Sequence, residues 1–286
     1  MKKSILDFKE MKQKGEKITF LTCYDYMTAK YEEQAGVDMI LVGDSLGNVL
    51  LGHRNTLPVT MEDMIIHAKA VRRGAPNTFI VGDMPFLSYQ ISDELAITNA
   101  GRFIKEADCD CIKLEGAEPG ILSRIRAISN VGILVMGHVG LTPQFEAKMG
   151  GCKAQGKSLA AAEAILEQAK KVEEAGAFSI LVEGVPAIVG KLIQQNLSIP
   201  VFGIGAGSHM DGQLLIYADM LGLYEDFTPK FVKKYANIGS QMKEAFQTYI
   251  EEVKNNQFPI DSEHAYKIKE EEARKIEELL MEPALV

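Results

Sequence analysis

The sequence predicts an α/β fold, a closed (β/α)8 TIM barrel. Three observations predict it. Eight short apolar runs alternate with helical stretches between residues 18 and 219. Each run is nearly continuous rather than alternating, which is typical of parallel strands buried on both faces. The length of 286 residues is close to the usual size of such a barrel. An open doubly wound sheet is the alternative.

The predicted strands follow one another at intervals that leave room for helices. They are ITFLTCY (18–24), DMILVGD (38–44), TFIVGDM (78–84), CIKLEG (111–116), GILVMGH (132–138), FSILVEG (178–184), PVFGIGAG (200–207) and QLLIYAD (213–219). Capping residues, acidic first turns and terminal glycines predict helices over 25–35, 60–73, 92–107 and 158–175. The link over 208–212 is too short for a normal helix and predicts a turn or a single helical turn.

We expect a single barrel domain over residues 1–265 and a charged helical extension over 266–286. Residues 266–282 form an amphipathic, heavily charged pattern. Such a helix is either solvated or packed on a neighbouring subunit.

The composition excludes several classes of protein. Hydrophobic residues make up 47% of the chain, and the formal charge of −8 argues against nucleic-acid binding, which needs a basic surface. No apolar run approaches the ~20 residues of a membrane span. The first 17 residues lack the apolar core of a signal peptide. Four cysteines without a CxxC pair favour reduced thiols and a cytoplasmic protein.

Ionisable residues gather at the predicted carboxyl ends of strands two to six. They are Asp44 with Ser45, Asp83, Lys113 with Glu115, His138 and Glu183. In a barrel these ends meet at one mouth, where active sites lie. About four carboxylates would then crowd together, which is unfavourable unless a cation or a shared proton compensates.

A divalent metal is the simplest compensating cation. Asp44, Asp83 and Glu115 come from adjacent strands, and Mg²⁺ prefers such oxygen ligands. Lys113 and Glu115 are two residues apart, so both side chains lie on one face of their strand. The Lys113 ammonium could bind an anionic substrate oxygen or form only a salt bridge to Glu115.

Two further side chains complete the predicted site. Glu183 follows an apolar run and can act as an acid or base. His138 lies among small residues that leave it room in the mouth, although a satisfied core histidine is the alternative.

The chain resembles the ketopantoate hydroxymethyltransferase family. The similar stretches cover roughly residues 3–266 and include LVGDSLGNVLLGHRNTLPVT (41–60), IKLEGA (112–117), GHVGLTPQ (137–144), LVEGVP (181–186) and FPIDSEHAY (258–266). The resemblance implies a barrel of the phosphoenolpyruvate/pyruvate-binding superfamily and a role in pantothenate and coenzyme A synthesis. It implies transfer of a one-carbon unit from 5,10-methylenetetrahydrofolate to the α-keto acid 3-methyl-2-oxobutanoate, giving 2-dehydropantoate.

The resemblance also implies cofactors and roles. It implies Mg²⁺ or a similar divalent cation, and a large homo-oligomer, typically a homodecamer. The family's metal ligands fall on Asp44, Asp83 and Glu115. Its substrate contacts fall on Asp44, Ser45, Asp83 and Lys113, its proton acceptor on Glu183 and its active-site histidine on His138. A metal-stabilised enolate is the implied intermediate.

Two other functions stay open from the sequence. A carbon–carbon lyase or mutase of the same superfamily would act on a related α-keto acid, but its Lys-Lys-Cys-Gly-His loop is absent from the sequence. A non-catalytic relative would bind metal and keto acid without turnover.

Glu115→Ala is expected to weaken Mg²⁺ binding, because it removes one of three expected carboxylate ligands. Titration calorimetry measures the dissociation constant directly. An unchanged constant would exclude Glu115 from the metal ligands.

Overall fold

The computed structural model describes residues 2–281, and within them eight parallel strands close into a barrel in chain order. The last strand pairs with the first, Ile18 lying opposite Gly212, so the sheet has no free edge. The open-sheet alternative is therefore wrong, and the barrel prediction is confirmed. The strands are β1 Ile18–Thr22, β2 Met39–Val42, β3 Phe79–Asp83, β4 Cys111–Glu115, β5 Val135–Gly140, β6 Ser179–Glu183, β7 Val201–Ile204 and β8 Gly212–Leu215.

Helices follow most of the strands. Before residue 237 they are α1 Ile5–Lys14, α2 Tyr26–Ala35, α3 Leu46–Val49, α4 Met61–Gly74, α5 Asp93–Ala107, α6 Pro119–Asn130, α7 Glu146–Met149, α8 Leu159–Glu174, α9 Ala187–Asn196 and α10 Tyr217–Met220. The four predicted helices correspond to α2, α4, α5 and α8. Each begins after a residue whose side chain accepts a hydrogen bond from a main-chain N–H of the first turn, which stabilises the helix; these residues are Asp25, Thr60, Ser92 and Ser158.

The link between β7 and β8 contains the predicted turn, at Ser208 and His209. Asp211 stabilises it without a helix. Its carboxylate accepts hydrogen bonds from Lys12 Nζ and Gln194 Nε2, each at 2.7 Å, and from Val201 N at 2.8 Å.

The lower part of the barrel interior is apolar. Side chains alternate along each strand, so Phe20, Leu41 and Val81 point inward with their counterparts on the other strands. Helix α1 closes the amino-terminal end of the barrel with Phe8, which is fully buried and meets Phe79 edge to face at 5.2 Å. The polar groups are thereby confined to the carboxyl-terminal mouth.

The chain divides into two compact units, Met1–Ala236 and Asn237–Val286. The second contains α11 Ile238–Lys254, α12 Asp261–His264 and α13 Glu270–Met281. Helix α13 lies within the amphipathic segment predicted over 266–282, whose last residue lies outside the described part. The domain division at residue 265 stays a prediction. In the described residues, no helix combines the length and apolarity needed to cross a membrane.

Phe8→Ala is expected to lower the free energy of unfolding by about 3–5 kcal/mol, since it empties a closely packed site at the barrel floor. Leu6→Ala is the matched control on the same helix, because Leu6 is 72% exposed and its loss should cost less than about 0.5 kcal/mol. Urea unfolding compares them. Equal effects would show that Phe8 does not close the barrel.

Glu32 on α2 gives the stability a pH dependence. Neither of its buried carboxylate oxygens has a hydrogen-bond partner among residues 2–281. Burial, with Asp25 nearby, raises its pKa from 4.5 to about 9. The folded state therefore holds this proton over a pH range in which the unfolded chain releases it. The stability contributed by Glu32 is present below pH 4.5 and is lost as the pH rises towards 9.

Glu32→Gln should remove this dependence, which reaches about 1.4 kcal/mol per pH unit at most. Urea unfolding at pH 6, 7 and 8 measures the slope. Glu163→Gln on α8, an exposed position, should leave the slope as in the parent protein. An unchanged slope in Glu32→Gln would mean that Glu32 ionises normally in the folded state.

Candidate active site

The seven predicted site residues line one cavity of about 200 Å³ at the carboxyl-terminal mouth of the barrel. They are Asp44, Ser45, Asp83, Lys113, Glu115, His138 and Glu183. The strand register brings them together: Asp83 of β3 lies opposite Lys113 of β4, and Glu115 lies opposite His138 of β5. This arrangement follows from parallel strands that each end in a polar residue. Their individual roles remain predictions.

Lys113 lies at the centre of the ion pairs. Its Nζ is 2.6 Å from Asp83 Oδ1 and 3.5 Å from Glu115 Oε1, and all three residues are buried. Burial lowers the pKa of Lys113, but Asp83 and Glu115 outweigh burial, so the pKa is raised. The amine thus stays an ammonium, which can hold an anion but cannot attack a carbonyl.

The pKa values of the three acids Asp44, Asp83 and Glu115 are not shifted in the same direction. Burial, Asp83 and Glu115 raise the pKa of Asp44 well above its usual value. The pKa of Asp83 is also raised, because burial and Glu115 outweigh Lys113. Burial also raises the pKa of Glu115, but Lys113 and His138 outweigh burial, so this pKa is lowered overall. The cluster therefore has more negative than positive groups and would gain from a further cation.

His138 lies inside the barrel, because β5 continues to Gly140 rather than ending at His138 as the sequence suggested. Its Nδ1 is 3.3 Å from Glu115 Oε1 and its Nε2 is 3.2 Å from Glu183 Oε2. Neither nitrogen has a hydrogen-bond partner within the described chain. Each nitrogen nevertheless lies within ion-pair distance of a carboxylate, and the active-site role of His138 stays a prediction. Burial alone would lower its pKa, but Glu115 and Glu183 raise it to about 9.

The donor chemistry at the mouth fits a hard divalent cation. Asp44, Asp83 and Glu115 offer only oxygen atoms, and a bound cation or a shared proton would relieve the repulsion that helps to raise the pKa of Asp44. In residues 2–281, no three His, Cys, Asp or Glu side chains are already grouped as metal ligands. The oxygens instead accept from Lys113 Nζ and from main-chain and side-chain amides. Mg²⁺ takes few protein carboxylates and keeps several waters, so it does not require a closed cage.

Three polar residues at the mouth were not predicted from the sequence. Tyr24 Oη lies 2.8 Å from Ser45 Oγ. Gln144 Nε2 donates to Asp44 Oδ2 at 2.9 Å, and Tyr89 Oη donates to Gln144 Oε1 at 2.8 Å. Tyr89 and Gln144 end no predicted strand, so the strand-end pattern could not identify them. Tyr24 ends the predicted run 18–24, but a tyrosine carries no charge at neutral pH, so the pattern of charged strand ends does not include it. Gln144 lies within the stretch GHVGLTPQ (137–144), which is the one signal that could have found it.

A second cavity of about 820 Å³ adjoins the first. The two share the wall formed by Pro143, Cys152, Glu183, Ile204 and Ile216. The remaining wall of the larger cavity is mainly apolar and includes Val185, Phe227 and Phe231. A carboxylate, that of Glu183, therefore faces a small charged cavity on one side and a large apolar one on the other.

Residues 2–261 match the family model of ketopantoate hydroxymethyltransferase. The chain belongs to this family. A protein of Alkaliphilus metalliredigens named 3-methyl-2-oxobutanoate hydroxymethyltransferase is 58% identical, with 93% of this chain and 94% of the relative covered. One of the same name from Enterococcus faecalis is 53% identical, with 96% and 100% covered.

Solved structures share the family's fold. Phosphonopyruvate hydrolase, in complex with oxalate and Mg²⁺, has a TM-score of 0.60 at 13% identity, with 98% of this chain and 97% of that chain covered. 2,3-Dimethylmalate lyase, a member of the PEP mutase/isocitrate lyase superfamily, has a TM-score of 0.57 at 14% identity, with 98% and 100% covered. At these identities the likeness concerns the fold alone.

Proposed function

We propose that this enzyme transfers a hydroxymethyl group from 5,10-methylenetetrahydrofolate to 3-methyl-2-oxobutanoate and yields 2-dehydropantoate for pantothenate synthesis. The observation that carries the proposal is the cavity of about 200 Å³, which joins anion-binding groups, acids and a base in a family of this named activity. Its volume suits a small α-keto acid.

The chain's own residues suffice to bind the keto acid as an anion. The Lys113 ammonium and the Ser45 hydroxyl face the cavity and offer donors to the substrate oxygens. His138 adds a second group that can carry positive charge, with its ring nitrogens 3.3 Å from Glu115 Oε1 and 3.2 Å from Glu183 Oε2. Lys113 and His138 are buried and are strong partners for a carboxylate, because charge-assisted hydrogen bonds strengthen where water is excluded.

Asp44, Asp83 and Glu115 would hold Mg²⁺ or a similar divalent cation. Such a cation, when bound, polarises a substrate carbonyl as a Lewis acid. The three carboxylates supply oxygen ligands and their negative charge, while Lys113 keeps Asp83 and Glu115 from repelling each other.

Glu183 is the proposed base that removes the proton at C3 of the keto acid. Its carboxylate lies on the wall shared by the two cavities, with Oε2 3.2 Å from His138 Nε2. A base in this position forms the carbon nucleophile beside the cavity from which the one-carbon unit would arrive. Overall, the C3–H bond of the keto acid breaks and a C–C bond forms to the methylene carbon of the folate. Both C–N bonds of that carbon break, water supplies its hydroxyl group, and the two folate nitrogens take up the proton from C3 and the remaining proton of water, which gives tetrahydrofolate.

The larger cavity is the proposed site of the folate. Val185, Pro186, Phe227 and Phe231 give it apolar walls suited to a flat ring system. Lys230 adds a cation in the same wall, which suits the carboxylates of a folate tail.

A homodecamer in the cytoplasm completes the proposal. Helix α11 carries an exposed apolar stripe of Met242, Phe246, Tyr249, Ile250 and Val253, and such stripes are typical of subunit interfaces. All four cysteines are free thiols, as expected of a reducing compartment. Light scattering gives the assembly mass, and a monomer would contradict this part.

The reaction is tested by NMR of 3-methyl-2-oxobutanoate in D₂O with the protein and Mg²⁺. We expect metal-dependent loss of the C3 proton signal, and 2-dehydropantoate once methylenetetrahydrofolate is added. Neither exchange nor product with any divalent metal would refute the transferase and leave a lyase, a mutase or a silent binding protein. Cleavage of a C–C bond in a related keto acid would support the lyase or mutase.

Glu183→Gln is expected to slow both C3 exchange and product formation by about 10²–10⁴-fold, because it removes the base. Mg²⁺ affinity should stay within about twofold, since Glu183 is not among the proposed ligands. Glu146→Gln on the nearby α7, which does not line the inner cavity, is the matched control and should exchange normally. Normal exchange in Glu183→Gln would require a different base.

A further inference from the structure

We propose that Gln144 is a positioning residue that fixes the orientation of two metal-binding acids; this rests on the proposed metal site. Gln144 lies in a 3-10 turn at Pro143–Phe145, just after β5, and is buried. It does not line the inner cavity, so we expect it to contact neither the substrate nor the metal. Its effect has to pass through the acids that it holds.

Gln144 joins groups from three neighbouring strands. Its side-chain Nε2 donates to Asp44 Oδ2 after β2 at 2.9 Å and to the Met84 carbonyl oxygen after β3 at 3.0 Å. Its main-chain N–H donates to Glu115 Oε2 of β4 at 3.0 Å. One residue thus holds one oxygen of each of two acids, whose strands are separated by β3.

The side-chain oxygen of Gln144 is also held by hydrogen bonds, which fixes the orientation of the amide. Its Oε1 accepts from Tyr89 Oη at 2.8 Å and from Gln90 Nε2 at 3.1 Å. Tyr89 is fully buried, and its hydroxyl also accepts from the main-chain N–H of Glu115 at 3.1 Å. Every donor and acceptor of the Gln144 side-chain amide is therefore used, which leaves it a single orientation.

A neutral amide suits this task better than a charged group. Gln144 stabilises the carboxylates of Asp44 and Glu115 by donating to them, yet it does not cancel the negative charge that attracts a cation. The two oxygens of Glu115 have different partners. Oε2 accepts from the main-chain N–H of Gln144, while Oε1 lies 3.5 Å from Lys113 Nζ and 3.3 Å from His138 Nδ1. Groups that orient metal ligands in this way commonly change metal affinity 10–100-fold when they are removed.

The test is titration calorimetry of the metal-free protein with Mn²⁺ or Mg²⁺ alone. Gln144→Met keeps the side-chain length but removes the amide, and it should weaken metal binding about 10–100-fold. C3 exchange should recover when the metal concentration is raised to saturation, because the base and the anion-binding groups are untouched. A merely structural defect would not be rescued in this way.

Gln194→Met is the matched control, because Gln194 Nε2 donates to a buried aspartate, Asp211 Oδ1, at 2.7 Å. This bond lies at the amino-terminal end of the barrel, and its loss should leave metal affinity within about twofold. A Gln144→Met protein that folds and binds metal as tightly as the parent would overturn the proposal.

Tyr89→Phe extends the test should Gln144→Met fail to fold. It removes the hydroxyl that orients the Gln144 amide but keeps the ring, and it should weaken metal binding at least about threefold. Unchanged affinity in Tyr89→Phe would then overturn the proposal. A parent protein that binds no divalent cation would instead refute the metal site of the proposed function, so the two failures are distinguishable.

Discussion

The ammonium of Lys113, buried between Asp83 and Glu115, is the interaction on which the mouth of the barrel depends. Its Nζ reaches both carboxylates, at 2.6 and 3.5 Å, in a place where none of the three groups contacts bulk water appreciably. Breaking such a buried pair typically costs about 3–5 kcal/mol, because the remaining charge is left uncompensated. The ion cluster therefore favours one arrangement of β3 and β4, and the apolar floor beneath it keeps water from competing.

The charges of this cluster do not cancel one another in the protein alone. Burial first, and then Asp83 and Glu115, raise the pKa of Asp44, and Lys113 alone leaves the three acids with a deficit of positive charge. A divalent cation would remove it, and an anionic keto acid would in turn offset the charge of Lys113. We therefore expect the proposed metal and substrate to bind more tightly together than either does alone, because each offsets charge that the other leaves.

Most of the fold and much of the site could be predicted from the sequence because both lie in local patterns. Continuous apolar runs identify the strands, and polar residues at their ends identify Asp83 or Glu115 without any knowledge of the topology. Gln144 could not be identified in this way, because its role depends on a turn after β5 that places it against Asp44 after β2 and Glu115 of β4. The same holds for Tyr89. In the sequence it cannot be distinguished from an ordinary core aromatic residue, and only the structure shows that its hydroxyl bonds to Gln144 and Glu115. Long-range hydrogen bonds leave no periodic signal in the chain.

The position of Glu183 relates the two cavities to the order of the proposed chemistry. The inner cavity ends on the buried side chains of Asp83 and Lys113, whereas Phe227 and Phe231 of the outer cavity come from the exposed segment after α10. A keto acid held by Lys113 must therefore lie deeper than a ligand of the outer cavity. Glu183 lies where the two spaces meet, so the proton would leave C3 on the side from which the one-carbon unit arrives. A folate bound there would also cover the inner cavity, and the nucleophile would then form where water is excluded.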